Sequence, residues 1–127
     1  MDLERYRQLV DVSGEPVVGC VLSFKDVYEK FRARSHCLVR DWTILDVETT
    51  DREFKALQTR GLQPVVVYAL RVVFDSRERF KSGDWVRSSF MVSYEEGGFF
   101  FTQNTVYVLL GNGTRQKISV QNLGCLR

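Results

Sequence analysis

The stretch Phe80-Lys81-Ser82-Gly83-Asp84-Trp85-Val86-Arg87 opens the C-terminal third of the chain, and an almost unbroken β pattern follows it. From Trp85 to Tyr94, the apolar Val86, Phe90, Val92 and Tyr94 are interleaved with Arg87, Ser89 and Ser93, as in a strand with one drier face. Glu95-Glu96-Gly97-Gly98 supplies a turn, and Phe99-Phe100-Phe101 resumes the sheet. Thr105–Leu110 is then expected to pair with Thr114–Val120 as a hairpin around Gly111-Asn112-Gly113. A two-residue Asn112-Gly113 turn would set Val108 opposite Lys117. A three-residue loop instead sets Val106 opposite Ile118 and keeps Val108, Leu110 and Val120 on one face, so the odd loop is expected, with Gly113 left-handed.

Upstream, Pro64–Phe74 is dominated by Val65, Val66, Val67, Tyr68, Leu70, Val72 and Val73 and reads as a central strand buried on both faces. Leu38–Val47 reads as a second interior strand. Ser23 as N-cap, with Phe24, Val27, Tyr28 and Phe31 at helical spacing, predicts a helix over 24–34. Thr50 and Glu53 have capping-box spacing and Gly61 stands where a helix stop is wanted, which predicts a second helix over 51–60. Asp2–Val10 reads as a short helix or a partner-dependent arm, and Val17–Leu22 as a strand or lead-in. The order lacks regular strand–helix alternation, so the expected fold class is α+β, a mainly antiparallel twisted sheet with two to three helices.

The 127 residues fit a single domain spanning 1–127, and 44% hydrophobic with 27% charged residues places the chain in the globular class. Eighteen basic against 16 acidic side chains leave a net charge of +2, too weak a field to draw a polyanion from a distance. Nucleic acid is therefore not the expected partner; that reading would need Arg34, Arg115 and Lys117 to converge. Cys20, Cys37 and Cys125 are odd in number and widely spaced, which argues for packed, reduced thiols. Asp2, Glu4 and Arg5 follow Met1 with no apolar run, so no signal peptide and no membrane span are expected, and the location is expected to be cytoplasmic.

Reactive constellations are sparse. His36 beside Cys37 is the one imidazole–thiol neighbourhood, but consecutive strand residues point to opposite faces, so the ordinary reading is a strand-start His and a packed Cys. Cys20, His36, Cys37 and Cys125 lack the short paired spacing of zinc motifs. Asp41, Asp46 and Glu48 read as edge charges or as partners for Arg40 and Arg71 rather than as an acid–base pair. The glycines at 97–98 and 111–113 read as turns, with no lysine at phosphate-loop spacing. No catalytic residue, cofactor or metal is expected. Trp42 and Trp85, each preceded by Asp and close to Arg40 or Arg87, are the interface candidates, although a Trp among β-branched neighbours is commonly core. Phe100 joins them, because alternation sends its ring to the face opposite Phe99 and Phe101.

The segments Phe80-x-x-Gly83-Asp84-Trp85-Val86-Arg87-Ser88-Ser89 and Asn104–Gly113, with Val39–Trp42 and Val73–Ser76, resemble a small uncharacterised family found in pseudomonads and related mobile elements. Gly83-Asp84-Trp85-Val86 also resembles the entry strand of SH3-like small barrels, which implies a barrel-like C-terminal half. Neither resemblance brings a catalytic residue. The expected function is that of a small non-enzymatic binding protein acting by protein–protein contact through Trp42, Trp85, Arg87, Arg40 and Phe100. The resemblance implies inhibition of a host system as one use, and self-association is a further expectation. The alternative is a small-molecule binder or enzyme, whose mark would be an apolar cavity containing a perturbed carboxylate or His36.

Overall fold

A computed structural model describes residues 14–126. The expected Asp2–Val10 segment lies outside the described residues. The strands are β1 Glu15–Val18, β2 His36–Glu48, β3 Val65–Asp75, β4 Val86–Arg87, β5 Ser93–Glu95, β6 Phe99–Phe101, β7 Val106–Leu109 and β8 Asn112–Ser119. The helices are α1 Phe24–Phe31, α2 Asp51–Thr59 and α3 Val120–Cys125. The fold is α+β, with a sheet that curls into a half-barrel.

Strand β2 is the hub. It pairs antiparallel with β3 along one edge, while its other edge carries β7 and β8 in tandem, both parallel to it. His36–Val39 pairs with Val106–Leu109, and Thr43–Glu48 with Thr114–Ser119. The sheet is therefore mixed rather than purely antiparallel, with five antiparallel and two parallel strand pairings among the described residues, and the expected β7–β8 hairpin does not form. Gly111, not Gly113, takes the positive φ of 70°, and it lets the chain jog from β7 to β8 without reversing. Gly113 serves close approach instead: a Cβ there would stand 2.5 Å from the Trp42 ring and from the Trp42 carbonyl oxygen.

The same level of the sheet is kinked in β2 as well. Asp41 has φ 54°, a region that Asp tolerates better than most residues. The kink changes the alternation: Cys37 and Val39 face the same core as Trp42 and Ile44. On the inner face that core also takes Val67, Val72, Val86, Phe100, Tyr107 and Leu109. The outer face is covered in two halves. Helix α1 inserts Val27 and Phe31 over Leu38, Val106 and Val108, whereas Leu123 and Leu126 lie over Leu45, Val66, Tyr68 and Ile118.

The helices follow local signals. Ser23 accepts from Asp26 N at 3.2 Å, and Thr50 and Glu53 close the capping box at 3.2 and 2.9 Å. Helix α3 was outside the expectation, which ran the last strand through Val120. Its start is set by Ser119, whose hydroxyl accepts from Asn122 N at 3.0 Å. The single strand expected over Trp85–Tyr94 is broken in two. Ser88 pairs with Val67 through both its backbone N–H and its hydroxyl, each at 2.9 Å, and so bulges the chain before Met91 bridges Gln63, just ahead of β3.

Candidate functional site

Trp85 immediately precedes β4 and Arg87 ends it, two residues apart, so extended alternation sends both to the same side of the sheet edge. Trp85 is 41% exposed and stacks on the fully buried Tyr68, with ring centroids 5.8 Å apart and planes 27° from parallel. The buried partner holds the indole in one orientation, so little side-chain freedom remains to be lost on binding. Beside it lies a cleft of about 550 Å³ lined by Phe80, Trp85, Val86, Arg87, Gly124 and Leu126. Arg87 Nη1 donates to the Leu123 carbonyl oxygen at 3.1 Å, which ties β4 to α3. A guanidinium carries five donors, so this bond leaves others for a ligand.

The expected interface residues separate into three groups. Trp85 and Arg87 come together at the cleft. Trp42 is 2% exposed: its indole lies against Gly113 and its Nε1 donates to the Leu110 carbonyl oxygen at 3.0 Å, so it braces the β7–β8 junction. Phe100 has no exposed surface and belongs to the inner core, because the curl of the sheet covers the face its ring occupies. Neither is an exposed anchor, which corrects the expectation for both. Arg40 is exposed at the kink, opposite Arg71 in the β2–β3 register, and does not line the cleft. Sequence reasoning missed Tyr68, Phe80 and Leu126 at the site. Tyr68 is hidden in a run apolar on both faces, and only the pairing of Tyr68 with Arg87 shows which ring lies under Trp85.

The most elaborate polar cluster closes one end of the inner core. Asp75 has no exposed side-chain surface and takes a two-pronged contact from Arg79: Nε to Oδ2 at 3.0 Å and Nη2 to Oδ1 at 2.8 Å. The Arg79 backbone N–H adds a third bond at 2.7 Å, and Arg79 Nη1 reaches Thr105 Oγ1 at 2.9 Å. Burial by itself would raise the Asp75 carboxyl, but the side-chain and backbone hydrogen bonds from Arg79, with its charge, hold it below the usual carboxylate range. Burial pushes the Cys37 thiol and the Tyr107 phenol each up to about 12. Both stay protonated at neutral pH, so the cluster offers no ready nucleophile or base and reads as a clasp between β2, β3 and β7.

His36 and Cys37 point to opposite faces, as strand alternation requires. His36 is 3% exposed and lines an apolar groove with Phe24, Val27, Tyr28, Leu38, Val73 and Phe74. The cysteines are likewise dispersed: Cys20 lies under α1, Cys37 in the inner core and Cys125 on α3. Among the described residues, no three His, Cys, Asp or Glu side chains converge as a metal would need. Asp46 is engaged by Arg115 at 2.8 and 2.7 Å, and Asp41 by Arg71 at 3.5 Å. Arg34 lies over the Phe101 ring, 5.0 Å from its centroid. No helix among the described residues is long and apolar enough to cross a membrane.

Residues 21–124 match the domain of unknown function DUF6957, and the chain belongs to that family. The match takes in β2 to β8 and α1 to α2, and so the Trp85–Arg87 edge and the His36 groove. No curated protein and no solved structure matches the chain.

Proposed function

We infer that the protein is a small binding module that acts by protein–protein contact, with the Trp85–Arg87 cleft as its contact surface. The observation that carries this reading is the half-exposed indole of Trp85 held flat on the buried Tyr68 ring beside Arg87 and a cleft of about 550 Å³. Trp and Arg concentrate binding energy where they flank a desolvated pocket. The chemistry asks for a segment that offers an apolar side chain to Phe80, Val86 and Leu126 and a carboxylate or carbonyl oxygen to Arg87. The resemblance to mobile-element proteins supports a further step: the partner belongs to a host system that this contact blocks, in the cytoplasm.

The test is an affinity pull-down from nuclease-treated lysate with the unaltered chain, Trp85→Ala and Arg87→Ala, each variant checked for an unchanged melting profile. A stoichiometric partner lost by both variants, at a cost of about 2 kcal/mol or more for a central Trp, is the expected result. Equal recovery by all three chains would exclude the cleft as the contact surface.

A further inference from the structure

The groove that contains His36 lies away from the Trp85 cleft and has a chemistry of its own. Its floor is Leu38, Val73 and Val27, and its rim is made of three exposed aromatic side chains, Phe24 and Tyr28 from α1 and Phe74 from β3. A monomeric surface seldom leaves such rings uncovered together without a use for them. The groove is open on one side and offers a volume of about 290 Å³, suited to one aromatic ring or a small fused pair; a cavity of ~150 Å³ already accepts benzene.

One polar side chain lines this otherwise apolar space, the imidazole of His36. His36 Nδ1 lies 2.8 Å from the Arg34 carbonyl oxygen. A carbonyl can only accept, so Nδ1 carries the proton, and Nε2 of the neutral ring is an acceptor. Among the described residues Nε2 has no hydrogen-bond partner, and the ring that carries it lines the groove. The backbone on either side is fixed: His36 N donates to Ser76 Oγ at 2.8 Å, and Ser76 N donates to the His36 carbonyl oxygen at 2.9 Å. The imidazole also packs against Phe74 and Phe31, with centroids 5.9 and 6.4 Å away. The acceptor is therefore held in place before any ligand arrives.

We propose that this groove binds a small aromatic molecule carrying a hydroxyl or N–H donor, with the ring between Phe24, Tyr28 and Phe74 and the donor on His36 Nε2. The site does not depend on the Trp85 cleft, and either can fail without the other. Phenol and toluene are the probes, because they are nearly equal in size and differ in the donor alone. Titrated into the full isotope-labelled chain, phenol should shift the amides around residues 24–28, 36–38 and 73–74. It should bind about three- to tenfold more tightly than toluene, the worth of one net buried hydrogen bond. His36→Phe should erase that preference while toluene still binds. Tyr28→Ala, an exposed position that leaves folding intact, should weaken both probes alike. Equal affinity for the two probes, phenol shifts mapping elsewhere, or no binding of either would overturn the proposal.

Discussion

Asp75 shows how one side chain ties the ends of three strands together. Its carboxylate is removed from solvent and takes three hydrogen bonds from Arg79, whose guanidinium reaches on to Thr105 at the start of β7. The folded carboxyl titrates below its unfolded value of ~3.9, so its contribution is fully present above that value and is lost as pH falls through the folded pKa. Asp75→Asn should cost about 1–3 kcal/mol at neutral pH, because the Arg79 donors lose a charged acceptor. The gap between the variant and the unaltered chain should narrow as the pH is lowered from 5 toward 2. Urea unfolding at several pH values checks this, and a gap that stays constant would refute it. The same scale separates the two tryptophans. Both follow an Asp and both neighbour an Arg, so local sequence does not distinguish them; the difference arises because Gly113 lets a distant strand close over Trp42.

At the level of elements, periodicity was enough wherever pairing is local. Helices α1 and α2, and strands β2 and β3, fall within a few residues of where the apolar spacing and the caps put them. The β5–β6 hairpin also follows its Glu95–Gly98 turn. The β7–β8 region was not legible, because register reasoning presumed that neighbours in sequence pair with each other. Here both segments pair with β2, some 70 residues earlier, and the glycines make a jog rather than a reversal. The same kink sets the phase of β2 at Asp41, so the inward residues switch from odd to even numbers. Gly113→Ala tests this arrangement. Its methyl would meet the Trp42 ring and backbone, and the overpacking should cost about 1–3 kcal/mol. A loss below a few tenths of a kcal/mol in chemical denaturation would mean that the indole does not rest there.

For the whole molecule, the curl of the sheet decides which candidates stay exposed. It takes Phe100 and Trp42 inside and leaves Trp85 and Arg87 on an edge that α3 completes from the other end of the chain. Of the expected surface, the alternation of β4 gave the two residues that now stand side by side. The rest of the cleft depends on Tyr68, Phe80 and Leu126, which only tertiary pairing brings there. Arg79 is engaged by Asp75 and Arg115 by Asp46 within the fold, whereas Arg87 at the aromatic edge bonds only the Leu123 carbonyl oxygen among the described residues. The most direct measurement is in-cell photo-crosslinking, with a benzoylphenylalanine placed at Lys81, exposed next to Phe80 at the cleft, and in a second chain at Lys25 on α1. A protein adduct of defined mass from position 81, absent from position 25 and abolished by Arg87→Ala, is the predicted result. Adducts from both positions alike, or from neither, would contradict a contact surface at Trp85 and Arg87.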